Sequence, residues 1–370
     1  MKQFFNEQKK LGFGMMRLPM VGGDVNYDEV SRMVDEFLAA GFNYFDTAHG
    51  YLGGLSEVAV GRCLSARHER SEFLLTDKLT EPYFKREEDI RPFFESQLAT
   101  CGVDYFDFYL MHAQSKSIFA HFKRCHAYET AFALKAEGKI KHVGLSFHDK
   151  AEVLEEILCT YPQVELVQIQ LNYLDYEDAA VQSRLCLEVC RRHGKPVVIM
   201  EPIKGGSLVN LTPDVLAEVQ KAGFDPAELA LRFAATPDDV MMVLSGMSSE
   251  AQMQANISYM RDFVPLNEQE WALSQRLADV IRSKNAIACT ACRYCVEGCP
   301  MHISIPDLFA CMNSKMLFHN WNADYYYHSV HTAHNGKASQ CIRCGKCEHI
   351  CPQHLPIRDL LATVAKEFEH

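Results

Sequence analysis

Short apolar runs alternate with amphipathic stretches along most of the chain. The apolar runs have the length of buried strands, and eight are predicted, at Leu11–Met15, Asn43–Asp46, Phe73–Lys78, Phe106–His112, His142–Ser146, Leu166–Gln170, Pro196–Met200 and Val240–Ser245. Helical periodicity fills most of the intervals between them. Repeated strand–helix units of this kind predict an α/β fold with a parallel sheet.

The clearest helix is predicted over Tyr27–Ala40, where apolar residues recur at intervals of three and four positions, as one buried helix face requires. Asn26 precedes this helix, and Glu29 follows three residues later, which is the pattern of a capping box. Gly41 is placed to end the helix. The pattern therefore predicts both ends of the helix as well as its buried side.

Eight strand–helix units in about 260 residues favour a TIM (β/α)8 barrel. The competing architecture is an open, doubly wound sheet, whose first strand leads into a phosphate loop of the form GxGxxG. Here the first strand continues Gly12-Phe-Gly14-Met-Met-Arg17, so the third glycine is missing. The sequence therefore predicts a barrel, followed by a smaller and mainly helical domain.

The overall composition is that of a soluble globular protein, with 370 residues, 48% hydrophobic and 23% charged. The net charge is −11 and no basic run stands out, so we expect no nucleic-acid partner. No apolar run approaches the length that spans a bilayer, and the start, MKQFFNEQKK, lacks the apolar core of a secretory signal. We therefore expect a cytoplasmic protein with no membrane partner.

The 15 cysteines depart from this ordinary picture. Two copies of one pattern, CxxCxxCxxxCP, contain eight of them, namely Cys289, Cys292, Cys295 and Cys299, then Cys341, Cys344, Cys347 and Cys351. Histidine content rises and net charge vanishes over the same stretch. We therefore predict two domains, 1–285 and 286–370.

The pattern is typical of proteins that carry two [4Fe–4S] clusters. Three closely spaced thiolates reach three irons of one cubane, and the fourth cysteine, which precedes proline, ligates the other cluster. The predicted ligand sets are Cys289, Cys292, Cys295 and Cys351 for one cluster, and Cys341, Cys344, Cys347 and Cys299 for the other. A pair of zinc sites is the alternative, because zinc also uses paired CxxC steps.

The remaining seven cysteines lack ligand spacing and are predicted to be small buried hydrophobic residues, namely Cys63, Cys101, Cys125, Cys159, Cys186, Cys190 and Cys311. Helices are predicted from Ile305, where proline occupies the first turn, and over Ile357–Glu367. With these helices, the second domain resembles the α-helical ferredoxin type of succinate dehydrogenase iron–sulfur subunits.

Reactive side chains of a barrel collect at the carboxyl ends of its strands. Asp46 ends the second strand and Tyr51 follows it, Lys78 ends the third strand and His112 ends the fourth. A phenol has a pKa near ~10, which a neighbouring ammonium group lowers. A carboxylate would position the lysine, and a neutral imidazole would hydrogen-bond a carbonyl oxygen. Together they predict a proton donor for a developing alkoxide.

Residues 10–260 resemble the aldo-keto reductase family in the strings Gly-Phe-Gly-Met-Met-Arg-Leu-Pro, Phe-Asp-Thr-Ala-His-Gly-Tyr, Gly-Lys-Ile-Lys-His-Val-Gly-Leu-Ser and Leu-Val-Gln-Ile-Gln-Leu-Asn-Tyr. The resemblance implies a catalytic tetrad of Asp46, Tyr51, Lys78 and His112, with Tyr51 as general acid and base. It also implies a nicotinamide cofactor, NAD(P), and a small-molecule carbonyl or alcohol substrate.

The cofactor contacts implied by the resemblance are Met16, Arg17, Ser146, Gln168, Ile203, Gly205, Gln252 and Asn256. Two departures from the family pattern weaken the implied contacts with the nicotinamide group. Phe147 stands in place of an asparagine, and Met200 stands in place of a tyrosine that stacks on the nicotinamide ring. Near the 2′-phosphate of NADP, Gly246 and Gln252 stand where lysine and arginine are expected. Without that cationic clamp, we expect NAD to be favoured over NADP.

A hydride carries two electrons, whereas each cluster passes one electron at a time. Coupling the two therefore needs a flavin or another group that converts between two-electron and one-electron transfer, and the sequence has no flavin motif. We predict an iron–sulfur oxidoreductase whose clusters relay electrons, with an external redox partner such as a ferredoxin or a flavoprotein. Clusters with a structural role are an alternative. A further alternative is an electron-transfer protein whose barrel no longer turns over nicotinamide.

Overall fold

The structure is a computed structural model that describes residues 9–178, 181–289, 291, 293–318, 322–351 and 353–370. The chain forms two compact units. The first comprises Met1–Asn172, Ser183–Pro202 and Ala227–Asn267, and the second comprises Tyr173–Gln182, Ile203–Pro226 and Glu268–His370. Three segments from the first 285 residues, 173–182, 203–226 and 268–285, thus belong to the same unit as the carboxyl-terminal part.

Eight parallel strands close into a barrel within the described residues of the first unit, and each strand pairs with the next in sequence while the last pairs with the first. They are β1 Leu11–Gly14, β2 Tyr44–Asp46, β3 Leu74–Leu79, β4 Phe106–Gln114, β5 Ile140–Phe147, β6 Leu166–Gln170, β7 Val197–Met200 and β8 Val240–Gly246. This confirms the predicted TIM barrel. A short hairpin, Met20–Val21 with Asp24–Val25, follows β1.

The α-helices in chain order are α1 Tyr27–Ala39, α2 Leu55–Ala59, α3 Glu87–Cys101, α4 Lys116–Arg124, α5 Ala127–Ala136, α6 Ala151–Thr160, α7 Ser183–Arg192, α8 Pro213–Lys221, α9 Pro226–Ala235, α10 Glu250–Met260, α11 Glu268–Ser283, α12 Tyr294–Glu297, α13 Ile305–Phe318, α14 Asn322–Tyr325, α15 Lys346–Ile350 and α16 Ile357–Phe368. Asn26 caps helix α1 as predicted, since its Oδ1 accepts from the Glu29 backbone N–H. The second bond of a capping box is replaced, because the Glu29 carboxylate accepts from Nδ2 of Asn26 while the Asn26 backbone N–H donates to the Pro19 carbonyl oxygen. Gly41 follows the helix with a φ of +82°.

Interdigitated side chains fill the barrel interior rather than leaving a pore, as is usual for this fold. One buried cluster includes Tyr44, Phe108, Leu110 and Leu166. Gly144 allows this packing, because a Cβ added there would come within 2.7 Å of Cδ2 of Leu110 and 2.8 Å of Cδ2 of Leu166. The packed interior leaves the strand ends as the place where polar side chains meet.

The carboxyl-terminal part of the second unit is mainly helical, as predicted, and has its own apolar core. The rings of Tyr327 and Phe368 stack within it with centroids 4.6 Å apart. Gly336 pairs with Ile303 in an isolated bridge, and a Cβ on Gly336 would lie 2.1 Å from the Met301 carbonyl oxygen. The core therefore requires glycine at this position.

Specific polar contacts hold segments 173–182 and 203–226 within the second unit. Nζ of Lys204 lies 2.7 Å from Oδ1 of Asp175, a carboxylate that is 2% exposed. A guanidinium nitrogen of Arg282, on α11, donates to the Leu174 carbonyl oxygen at 2.7 Å. Contacts between residues far apart in sequence thus determine which unit these segments join. Among all described residues, no helix has the length and apolar character needed to cross a membrane.

Candidate active site and cluster-binding cysteines

Three neighbouring strands carry the predicted catalytic residues at the carboxyl end of the barrel. Asp46 is the last residue of β2, Lys78 is next to last in β3, and His112 lies near the end of β4. These strands are adjacent in the barrel. Tyr51 follows β2 and begins a short 3-10 turn, Tyr51–Gly54. The topology therefore brings all four residues to one end of the barrel.

The Lys78 ammonium contacts two members of this group. Its Nζ donates to Oδ1 of Asp46 at 2.7 Å, lies 4.8 Å from the Tyr51 ring centroid, and is hydrogen-bonded to the Tyr51 side chain. Burial lowers the pKa of Lys78, but Asp46 and Tyr51 outweigh it, so the pKa is raised. The lysine is therefore charged, and a charged neighbour favours the phenolate form of Tyr51.

His112 completes the group with a neutral imidazole. Its ring centroid lies 5.9 Å from that of Tyr51, and its Nδ1 lies 2.7 Å from Oγ1 of Thr80. Burial, followed by the positive charge of Lys78, holds the pKa of His112 well below its usual value. Because Thr80 occupies Nδ1, the ring nitrogen left for a substrate oxygen is Nε2.

Thr80 and His148 are site residues that the sequence reasoning missed. Burial and the Lys78 charge lower the pKa of His148 to about 4. Successive side chains of a strand point to opposite faces, so residues two positions apart share a face. Thr80 follows Lys78 by two positions and His148 follows Ser146 by two. That spacing is the signal that could have identified both.

A second polar cluster supports Lys78 through its backbone. Asp77 and Glu57 are both buried, and burial followed by the Glu57 charge raises the pKa of Asp77 well above its usual value. Oδ1 of Asp77 accepts the Lys78 backbone N–H at 2.8 Å. Gln97 donates to Glu57 at 3.0 Å and to the Lys78 carbonyl oxygen at 3.1 Å. His49 pairs with Glu57 at 2.9 Å, so it belongs to this cluster.

Ser146 and Gln168, the predicted carboxamide contacts, face each other across paired strands β5 and β6. The Ser146 hydroxyl accepts the Ala113 backbone N–H at 2.8 Å, which leaves its own hydrogen to donate. Oε1 of Gln168 is buried without a hydrogen-bond partner among the described residues. A buried orphan acceptor beside a hydroxyl donor fits a carboxamide, which offers both N–H and C=O groups.

Arg17 extends across the carboxyl end of β8 from the turn Met15–Arg17. A Cβ on Gly246 would lie 3.1 Å from Cδ of Arg17, so glycine makes room for this side chain. A guanidinium nitrogen of Arg17 lies 3.7 Å from Oε1 of Glu201, which follows β7. Met16, beside Arg17, is 36% exposed. The Arg17 guanidinium thus provides a positive charge near the end of β8, where position 246 is glycine. The Glu201 carboxylate lies beside this positive charge.

The residues predicted at the adenine end are engaged with neighbouring groups of the protein. Oε1 of Gln252 accepts the Ser248 backbone N–H at 2.8 Å, and Nδ2 of Asn256 donates to the Ser245 hydroxyl at 2.8 Å. Ile203 and Gly205 lie in the second unit, where Gly205 has a φ of +64°. The left-handed conformation at Gly205 favours glycine.

The two cysteine arrays line two cavities. One cavity is lined by four of the predicted ligands, Cys299, Cys341, Cys344 and Cys347. The other is lined by Cys289, Cys295 and Cys351, while Cys292 lies outside the described residues. All cysteines that the structure describes carry free thiols. In each cavity the fourth cysteine of one array joins members of the other array, the arrangement that two crossed [4Fe–4S] sites need.

Six of the seven remaining cysteines are buried, as predicted, namely Cys63, Cys101, Cys125, Cys186, Cys190 and Cys311. The prediction was wrong for Cys159, which is exposed. The buried side of α6 consists of Val153, Leu154, Ile157 and Leu158. Cys159 is not part of this buried side, and it lies one helical turn after Glu155 on the same side of the helix.

Comparison with known proteins identifies both parts of the chain. A family model described as aldo/keto reductase family matches residues 10–279, and one described as a 4Fe-4S dicluster domain matches residues 288–355. The chain belongs to the aldo/keto reductase family. It is therefore an oxidoreductase with an iron–sulfur domain of the ferredoxin type, as predicted.

Similar aldo/keto reductases include curated proteins and solved structures. The NADH-specific methylglyoxal reductase of Escherichia coli (strain K12) is 25% identical, over 74% of this chain and 95% of that protein. L-galactose dehydrogenase of Arabidopsis thaliana is 26% identical, over 72% and 88%. The holo form of aldo-keto reductase AKR11C1 from Bacillus halodurans has a TM-score of 0.59 and 27% identity, over 72% and 91%. An aldo-keto reductase from Klebsiella pneumoniae in complex with NADPH is 20% identical with a TM-score of 0.59, over 73% and 90%, and shows the fold alone.

Proposed function

We propose that the barrel reduces a small-molecule carbonyl, or oxidises the corresponding alcohol, with Tyr51 as general acid and base. The observation that carries the proposal is the buried contact of Lys78 with both Asp46 and Tyr51. A fixed positive charge stabilises the phenolate that remains when Tyr51 gives its proton to a developing alkoxide. In the alcohol direction, the same charge raises the fraction of Tyr51 present as phenolate, the form that can accept the proton of the alcohol.

His112 would orient the carbonyl oxygen toward Tyr51. A neutral imidazole can donate from Nε2 only if Nδ1 is unprotonated, and Nδ1 then accepts from the Thr80 hydroxyl at 2.7 Å. The low pKa of His112 keeps the ring neutral. Thr80 is thus a positioning residue whose contact holds the imidazole ring in place, while His112 and Tyr51 both approach the substrate oxygen.

A bound nicotinamide would supply the hydride for this reaction. Ser146 and Gln168 would hold its carboxamide, and Met16, Arg17, Ile203, Gly205, Gln252 and Asn256 would contact the rest of the dinucleotide. We propose that NAD is favoured over NADP, since Gln252 is neutral and Glu250 lies next to the adenine end. Arg32 already donates to the Glu250 carboxylate at 2.6 Å, and this pairing reduces the positive charge that Arg32 could offer to a 2′-phosphate.

The two cavities lined by cysteine would hold [4Fe–4S] clusters, each with three thiolates from one array and one from the other. We propose that these clusters exchange single electrons with an external ferredoxin or flavoprotein. Cys344 is exposed at its cavity, so an outside carrier can approach that cluster closely.

A second candidate function is electron transfer by the clusters alone, with a barrel that no longer turns over nicotinamide. The Glu201 carboxylate beside Arg17 favours this candidate, because it competes with a phosphate for the same cation. Titration with NADH and NADPH, followed by cofactor fluorescence, separates the two candidates. Binding of neither cofactor would support the second.

The reductase proposal is tested with Tyr51→Phe. We would measure anaerobic NADH oxidation with a panel of small aldehydes that includes methylglyoxal, the compound named in the Escherichia coli relative. We expect kcat to fall about 10²–10⁴-fold with cofactor binding retained, since only proton transfer is lost. Tyr161→Phe is the matched control, because the Tyr161 hydroxyl donates to Glu129 on α5, outside the tetrad. Full activity in Tyr51→Phe would contradict the proposal.

A further inference from the structure

Three side chains with metal-binding donor atoms meet on the outside of the first unit. Glu155 and Cys159 lie one turn apart on α6, and His193 directly follows α7. One donor atom from each lies within 4.8 Å of the other two. None of the three belongs to the tetrad or to the cysteine arrays.

The spacing of these donors matches a tetrahedral ion. Oε1 of Glu155 is 3.7 Å from Sγ of Cys159 and 2.7 Å from Nε2 of His193. Zinc bonds of about 2.3 Å to sulfur and about 2.0–2.1 Å to nitrogen or oxygen put neighbouring ligand atoms roughly 3.3–3.5 Å apart. The Oε1–Nε2 separation would therefore have to widen by roughly 0.6 Å, which side-chain rotation can supply.

The surroundings hold these ligands in place. Arg192 donates to Oε2 of Glu155, so Oε1 is the oxygen directed at Cys159 and His193. Metal-bound carboxylates commonly have such an outer hydrogen bond, which orients them. The opposite face of α6 is buried, so the helix is anchored. The Glu155 side chain is 38% exposed, and water can reach a fourth position.

We propose that Glu155, Cys159 and His193 form a binding site for Zn²⁺, with water as the fourth ligand. A thiolate, an imidazole and a carboxylate together suit zinc better than magnesium or calcium, which prefer oxygen alone. Binding forms one Zn–S bond and releases the Cys159 thiol proton to solvent. The two anionic ligands then balance the charge of the ion, and Arg192 keeps its hydrogen bond to Glu155.

The test uses the full protein, purified anaerobically with its clusters and freed of loose metal by a chelator. Zn²⁺ is titrated in competition with a chromophoric chelator, and zinc K-edge X-ray absorption then reports the ligands. We expect one tightly bound zinc with one sulfur at about 2.3 Å and nitrogen or oxygen at about 2.0–2.1 Å. A shell without sulfur would show that Cys159 is not a ligand, and four sulfurs would place zinc at the cluster cysteines. Either result, or no uptake at micromolar zinc, overturns the proposal.

Two variants and a control localise the site. Cys159→Ser and His193→Gln should each weaken zinc binding at least about tenfold. His142→Gln is the control, because His142 makes a similar ion pair with Glu165 at 3.0 Å and should leave zinc affinity unchanged. Circular dichroism without zinc checks that each variant folds. Wild-type affinity in folded Cys159→Ser would overturn the proposal.

Discussion

Replacing Lys78 with methionine tests the charge pairing at the centre of the candidate site. Methionine has nearly the same length and shape as the lysine stem, so packing inside the barrel is largely kept. The ammonium is lost, and the Asp46 carboxylate is left in a buried position without its partner. The variant therefore measures the electrostatic contribution rather than a cavity.

The magnitude follows from the geometry of the pair. The Lys78 and Asp46 side chains are 1% and 4% exposed and are joined at 2.7 Å. Removing one partner of a buried pair costs about 3–5 kcal/mol. For a barrel of this size, 1 kcal/mol lowers Tm by about 2–4 °C, so we expect a loss of about 6–20 °C.

The loss should depend on pH with a definite sign. Without Lys78, burial favours the protonated form of Asp46 in the folded protein, whereas the unfolded chain ionises above about pH 4. The unfolded state then binds fewer protons, so the variant loses stability as pH rises. The deficit relative to wild type should be larger at pH 8 than at pH 5.

Barrel unfolding is followed by circular dichroism in anaerobic buffer, for Lys78→Met and for the double variant Asp46→Asn/Lys78→Met. The double variant should recover most of the lost stability, because position 46 no longer carries a buried carboxylate without its partner, yet it should stay inactive. Lys141→Met, at an exposed position, is the control. A single variant as stable as wild type, or a double variant no more stable than the single one, would refute the reasoning.

Two further predictions concern the second histidine and the clusters. The pKa of His148 is lowered from its usual 6.5 to about 4, so stability that is complete above pH 6.5 should fall by up to about 3 kcal/mol as pH drops toward 4. His148→Gln should remove that part of the acid dependence, as seen in unfolding midpoints at pH 5 and 7.5; an unchanged dependence would contradict the assigned pKa. Cys344→Ser should lose the iron and acid-labile sulfide of one cluster, while Cys311→Ser, at a buried cysteine outside both arrays, should retain both clusters. Equal iron in the two variants would exclude Cys344 as a ligand.

Local patterns explain which features could be predicted from the sequence alone. The eight strands and the cap of α1 at Asn26 depend on residues that are close in sequence, because period and capping are properties of a few consecutive residues. The cysteine arrays are local too, since a cubane dictates the gaps between its thiolates. The positions of Asp46, Lys78 and His112 required one further step, the rule that reactive groups lie at the carboxyl ends of barrel strands.

The tertiary structure decided what depends on neighbours from distant parts of the chain. It brought Glu57 close to Asp77, which precedes Lys78, and it placed the Thr80 hydroxyl within hydrogen-bonding distance of His112. It also packed Arg17 against Gly246 and joined segments 173–182 and 203–226 to the second unit. It also exposed Cys159, which was predicted to be buried because it lacks ligand spacing. The predicted boundary near residue 286 and the catalytic roles stay predictions. The physical reason for the difference is that the period of a strand or helix determines which face of the element a side chain occupies. Closure of the barrel determines which distant residues that side chain contacts.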